Sequence, residues 1–486
     1  MAVGKATPEG LKSQGLVRRL EAGQVLFSKG DTPDGMYVLL SGRCSASGED
    51  EQQHFIEPGE LFGELAPLGG GHRTATVTAT QASEVLRIAP EEIRESDLPR
   101  EVMWGWLEDV ARRGRDIQEQ QAGLIEETAT RRAVQRMRMP SVDLIRQIAL
   151  RLLPEGLEGY IEGGAGDEIT LRANEAAWRD LELVPHVLTG VRDRDPSVEV
   201  LGRRLPHPLI VAPTGFQRLV HPDGEIACAR GARAAGAQFC LSTFATTSAK
   251  ELQAEQPDLD WWFQLYWFTD RDLNWALVDN AIEAGAKAIV LTVDLATLGS
   301  RERDHLSGFS LRGSMVVPNV AETGRHPTAK LAPVWATLDP GVCWQDLEEL
   351  VRRAAVPVIV KGLMRGDDAR RAADLGAAAV VVSNHGGRQL DTGLATATAL
   401  PQLVDAVGEQ IDVLVDGGIR RGADIAKALA LGAKAVLIGR PPLWGLAAGG
   451  GDGVQHVVEL LASEFDNALA LLGVSSAREL DRSLLH

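Results

Sequence analysis

The chain has 486 residues, 44% of them hydrophobic, and a formal net charge of −17. That length accommodates roughly two to four domains with sizeable cores. The acidic balance argues against a nucleic-acid or anionic-membrane surface, because both recruit clustered Lys and Arg. Cys44, Cys228, Cys240 and Cys343 are scattered without a C-x-x-C pair, which fits a reducing compartment and gives no zinc-site signal. The first ten residues have no long apolar core, and no run approaches the ~18 apolar residues of a membrane span. The expectation is a soluble, cytoplasmic protein with no transmembrane segment and no metal.

Residues 1–15 read as a polar tail. Residues 16–99 have an all-β texture, with short runs such as Met36–Leu40 and Ala75–Ala79 punctuated by Gly23, Gly30, Gly35, Gly42 and Gly59. This spacing predicts a small barrel or β-jelly roll. Its most polar, glycine-rich corner runs from Phe62 to Ala75. Free backbone N–H groups beside an arginine make an anion cradle, and a nearby glutamate can accept bonds from sugar hydroxyls. The stretch resembles a cyclic nucleotide-binding domain in its Gly30-Asp31 and Ser41-Gly42 turns and in the cassette Gly63–Ala75. The resemblance implies that Glu64 holds a ribose hydroxyl and Arg73 pairs with a cyclic phosphate, while Gly63, Leu65, Ala66, Thr74 and Ala75 line the site. Pro67 departs from the usual aliphatic residue and removes one backbone donor. Either cAMP or cGMP is compatible, and an inert docking module is the alternative.

Residues 100–140 predict a helical connector. Trp104, Trp106, Leu107 and Val110 recur at helical spacing, a charge-rich stretch follows, and Pro140 ends it.

Residues 141–486 carry a regular rhythm. Apolar runs occur at 208–215, 238–244, 261–267, 288–294, 357–362, 379–386, 411–418 and 435–441, with helical stretches between most of them. Eight such units predict a C-terminal TIM (β/α)8 barrel in an α/β chain, with an open doubly wound sheet as the alternative. In such barrels the strand exits build the active site. Here the exits read Pro213-Thr214-Gly215, Ser242 to Phe244, Gln264 with Tyr266, Thr292 to Asp294, Lys361, His385 with Arg388, Asp416-Gly417-Gly418 with Arg420, and Gly439-Arg440.

Chemistry suggests their roles. A phosphate would sit at Gly417, Gly418, Arg420, Gly439 and Arg440. Ser242, Gln264, Thr292 and Lys361 would bond a polar ring, with Lys361 balancing negative charge on it. Asp294 would orient His385, which takes a proton from a small acid whose carboxylate Arg388 clamps. The barrel resembles the FMN-dependent L-2-hydroxy acid oxidase and dehydrogenase family, most specifically through Ser383–Asp391. The resemblance implies FMN as cofactor and an L-2-hydroxy acid as substrate. It makes His385 the base with Asp294 as partner, Arg388 and Tyr160 the carboxylate ligands, Tyr266 the hydroxyl ligand and Arg301 a further active-site cation. It also implies a homo-oligomer, a tetramer by default. Hydride and carbanion routes both stay open, as do oxygen, a quinone or a redox protein as acceptor.

Phe244 replaces a common Trp, which would widen the substrate pocket. Ala296-Thr297 replace a common Pro-Arg pair. Gly215 replaces the Ala of many fast oxidases, a hint toward a non-oxygen acceptor. Gly308 to Pro340 reads as a long lid-like loop. Two classes of function follow: a flavoenzyme tuned by a cyclic nucleotide, or a flavin-bearing sensor or scaffold with a docking domain.

Overall fold

The computed structural model describes residues 16–47, 53–63, 72–88, 139–154, 156–306, 315–326 and 328–486. Its contacts divide the chain into two units, 1–128 and 129–486. Each is described by itself.

The first unit is built from β1 (Leu16–Leu20), β2 (Val25–Phe27), β3 (Met36–Ser41), β4 (Cys44–Ser47), β5 (Gln53–Ile56), β6 (Leu61–Phe62), β7 (Thr76–Ala79) and β8 (Ser83–Ile88). They form two antiparallel sheets, ordered β1-β8-β3-β6 and β2-β7-β4-β5. Strand β3 buries both faces: Tyr37 and Leu39 join a core with Phe27, Phe62 and Val77, while Met36, Val38 and Leu40 pack with Leu61, Leu86 and Ile88. Successive side chains of a strand point to opposite sides, so burial on both sides requires an unbroken apolar run. The expected β-rich domain is present.

In the second unit the Ser141 side chain accepts from the Leu144 amide and caps the helix Val142–Leu152. Helices Leu157–Glu162 and Ile169–Asp180 and the hairpin β9 (Val198–Val200) and β10 (Arg203–Leu205) follow. Then come eight parallel strands: β11 (Leu209–Val211), β12 (Gln238–Ser242), β13 (Trp261–Leu265), β14 (Ile289–Thr292), β15 (Val358–Leu363), β16 (Ala379–Val382), β17 (Asp412–Val415) and β18 (Ala435–Ile438). The barrel closes where Leu209 to Val211 pair with Val436 to Ile438. A closed barrel, and not an open sheet, is therefore the architecture. Helices cover its outside, so its strands are buried on both faces and read as Val-, Ile- and Leu-rich runs. The strands are shorter than those runs, and the residues beyond their ends form the mouth.

One expectation needs amendment. The segment expected as a loop from Gly308 to Pro340 contains, among its described residues, the short helices Pro318–Glu322 and Leu331–Trp335. Val320, Leu331 and Val334 are buried there, and the Asn319 side chain bonds the Ala249 amide and the carbonyls of Ser242 and Thr243. Local apolar spacing and one buried amide hold the segment down despite its glycines and prolines. The expected helical connector lies outside the described residues, apart from Met139 and Pro140. Among the described residues no helix is long and apolar enough to cross a membrane.

Candidate active site

One cavity opens at the strand exits. It is lined by Tyr160, Pro213, Thr214, Gly215, Ser242, Phe244, Gln264, Tyr266, Thr292, Arg301, Lys361, His385, Arg388, Asp416, Gly417, Gly418, Arg420, Gly439 and Arg440. Asp294 stands behind that wall and reaches it through His385.

The His385 Nδ1 lies 2.8 Å from Asp294 Oδ1. Burial alone would raise the Asp294 carboxyl, but His385 and Lys361 outweigh it and hold its pKa below the ordinary 3.8. An ionised Asp294 accepts the Nδ1 proton, which leaves Nε2 as the basic atom. The backbone is shaped for this pair. His385 has φ +58°, in the left-handed region, and precedes two glycines. Gly362, at φ +112°, forms an irregularity in β15, and a Cβ there would lie 2.7 Å from the Asp294 Cβ. Only glycine lets the Asp294 loop pass over β15 to the histidine.

Lys361 Nζ is 3.1 Å from Asp416 Oδ2 and 2.9 Å from Ser383 Oγ. Burial opposes its charge, yet Asp416 and Asp294 outweigh burial and raise its pKa, so it remains an ammonium. Burial, then Asp294, raises the Tyr266 phenol, keeping it a protonated donor. Arg388 Nη1 donates to the carbonyls of Tyr160 (2.7 Å) and Gly163 (2.8 Å), and its guanidinium lies over the Tyr160 ring. The strand-six cation and the ring ahead of the barrel thus share one wall.

The far end of the cavity is cationic. Arg440 donates to the carbonyls of Ile161, Gly386 and Gly163, and Arg420 to Ile419 and Glu175. Burial lowers Arg440 to about 9, reinforced by Arg388 and Arg420, and burial also lowers Arg420. Three arginines crowded this way call for an anion. On the cavity wall, Gln264 Nε2, Thr292 Oγ1 and Asp416 Oδ1 are buried with no hydrogen-bond partner among the described residues.

Several contributors were given no role from the sequence. Ser383 Oγ links Lys361 to the His385 amide. Asn174 and Asn384 exchange two amide hydrogen bonds (2.9 and 2.8 Å) beneath the histidine turn. Trp335, from the segment after β14, stacks on Phe244 with ring centroids 4.8 Å apart. It packs into the region where Phe244 is expected to widen the pocket.

In the first unit Arg73 is buried. Its Nη1 donates to the Gly63 carbonyl at 2.6 Å, and its Nη2 to Asp34 Oδ1 at 2.9 Å and the Gly35 carbonyl at 2.8 Å. Its guanidinium lies 4.1 Å from the centre of the Phe27 ring. Thr74 is exposed and Ala75 half-buried. Glu64, Leu65 and Ala66 lie outside the described residues.

A family model described as FMN-dependent dehydrogenase matches residues 149–486. The chain belongs to that family. A second model, cyclic nucleotide-binding domain, matches residues 17–96. The chain is 46% identical over 351 residues to the L-lactate oxidase of Nostoc sp., covering 70% of this chain and 96% of that protein. It is 40% identical over 358 residues to the 4-hydroxymandelate oxidase of Amycolatopsis orientalis, covering 70% and 97%. A crystal structure of mandelate oxidase matches with a TM-score of 0.66 at 39% identity, covering 72% and 98%. The protein is thus a flavoprotein with FMN as its cofactor, joined to a cyclic nucleotide-binding domain.

The cavity fits FMN. Arg420 and Arg440, with the glycine backbone at Gly417, Gly418 and Gly439, suit its phosphate, and Arg388 is left facing Tyr160. The orphaned Asp416 oxygen can accept from the polyol, and the Gln264 and Thr292 atoms can bond the ring's polar edge.

Proposed function

We propose that the barrel oxidises an L-2-hydroxy acid to the 2-oxo acid. The observation that carries this reading is the His385–Asp294 pair facing the same cavity as Arg388, Tyr160 and Tyr266. When bound, FMN supplies the two-electron acceptor. Arg388 and the Tyr160 hydroxyl hold the substrate carboxylate, which presents the C2 hydroxyl to His385 Nε2. Nε2 takes the hydroxyl proton, and Asp294 stabilises the imidazolium that results. Tyr266 donates a hydrogen bond to the oxygen as it gains negative charge, and Arg301 adds a positive field. Oxidation removes two electrons and two protons from the acid. The substrate's side chain lies toward Phe244, Trp335 and Leu295, an apolar wall. Names of relatives acting on L-lactate and 4-hydroxymandelate support an acid with a small or aromatic side chain.

The N-terminal domain, on our reading, binds cAMP or cGMP and tunes the barrel. Because Arg73 already bonds Asp34, Gly35 and Gly63, a cyclic phosphate competes with this internal network. That network equally suits a domain that only docks a partner, and binding decides between them.

Anaerobic mixing with glycolate, L-lactate, L-mandelate and longer acids, with and without each nucleotide, tests both domains. At least one acid bleaches the visible flavin band, and His385→Ala slows bleaching by about 10²- to 10⁴-fold. Failure of every acid, or a variant as fast as wild type, sinks the enzyme reading. Calorimetry with cAMP and cGMP that shows no heat, or heat unaltered by Arg73→Ala, leaves a docking module. Oxygen uptake compared with reduction of an artificial quinone identifies the acceptor.

A further inference from the structure

We propose that Gln389 is a positioning residue that staples the loop after β14 to the loop after β16 and thereby holds the Asp294 carboxylate on His385. This rests on the reading of His385 as the base.

The loop from Asp294 to Arg301 carries two site residues but has little to hold it. Ala296, Thr297, Leu298 and Ser300 are exposed, leaving Leu295 as the loop's buried apolar side chain, and no proline stiffens the segment. Its parent strand β14 is not a neighbour of β16, since β15 runs between them. Gln389 spans the gap. Its Nε2 donates to the carbonyls of Asp294 and Thr297, both at 2.8 Å, and its Oε1 accepts from the Gly299 amide at 3.2 Å. One planar amide thus places two donors and its acceptor on a single loop. The two backbones also touch: a Cβ on Gly299 would lie 2.4 Å from the Arg388 carbonyl oxygen and 2.7 Å from that of Gln389. Beyond the staple the loop is tied at Ser300, whose carbonyl accepts from the Gly166 amide.

The consequence for chemistry follows from the first of those bonds. Gln389 grips the backbone of Asp294 itself, so the carboxylate's position is set from the loop that carries the histidine. Freed from the staple, Asp294 loses its registry with Nδ1, and the imidazolium loses its main stabiliser. The other charged or titratable groups lining the cavity with His385 are Tyr160, Tyr266, Arg301, Lys361, Arg388, Asp416, Arg420 and Arg440, and the Asp416 carboxylate is engaged by Lys361 at 3.1 Å. The five cations among them oppose a charged imidazole and Asp416 is paired with Lys361, so a slack Asp294 is not replaced by another partner.

Gln389→Leu and Gln389→Met, as full-length FMN-loaded proteins, test this beside Asp294→Asn and the double variants. The expected result is kcat reduced about 10²-fold with KM little changed. The acid limb of the kcat profile moves to lower pH, because an unsupported imidazole loses its proton more readily. In the Asp294→Asn background the Gln389 substitution adds almost nothing, since both act through one contact. FMN content and melting temperature report folding, and Gln389→Met carries the test if the leucine variant loads poorly. An unmoved pH limb, or losses that multiply in the double variant, overturns the proposal while leaving the enzyme reading intact. A wild type idle on every acid removes both.

Discussion

At the scale of single residues, Asp294 does most to define the site. Its carboxyl is held below its ordinary 3.8 by His385 and Lys361 against the effect of burial. The sign of its contribution follows. The unfolded chain binds this proton at higher pH than the folded one, so the stabilisation is fully present above the unfolded value. It is lost as pH falls through the folded value. Urea midpoints measured from about pH 5 down to about pH 3 should fall less steeply in Asp294→Asn than in wild type. At neutral pH the same substitution should cost about 1–3 kcal/mol, because a buried charge-assisted hydrogen bond is weakened. Equal slopes would show that the carboxylate is not held in its charged form.

At the scale of elements, the segment between β14 and β15 is the least ordinary part of the barrel. It sends Trp335 onto Phe244, at the end of the cavity where we propose the substrate side chain lies. Trp335→Ala removes half of a stacked pair and opens that wall. Relative kcat/KM for bulky over small 2-hydroxy acids should rise by about 10-fold or more. An unchanged ratio would place the substrate side chain elsewhere. This segment also marks the limit of what the sequence discloses. The eight strands were legible because strands buried on both faces become continuous apolar runs, and the rule that exits bear chemistry then led to His385, Asp294 and Arg388. Trp335 was not legible, since its partner Phe244 lies about ninety residues earlier and meets it only after the chain has crossed two strands. Gln389 stood in a recognisable motif, but its role depends on Gly362 allowing one loop to pass over β15. Such a crossing is set by backbone close approach, which leaves only a glycine as its trace.

At the scale of the whole chain, an FMN-dependent barrel and a cyclic nucleotide-binding domain share one polypeptide. If a cyclic nucleotide changes substrate affinity, linkage requires the substrate to change nucleotide affinity by the same factor, with a coupling of about 1–3 kcal/mol. The arginine-rich end of the cavity has a different consequence, one for the protein's lifetime. Arg420 and Arg440 repel one another in a buried place, Arg388 adds to the field at Arg440, and polar atoms elsewhere on the cavity wall lack partners among the described residues. A freshly made chain carries that burden until a flavin phosphate arrives. At free FMN about 100 times its Kd, loading should stabilise the fold by about 2.7 kcal/mol. Thermal melts of stripped and reloaded protein would measure the gain, and equal melting temperatures would refute it. Cells short of riboflavin should then hold less of this protein, because the flavin-free chain is the one that unfolds and is degraded.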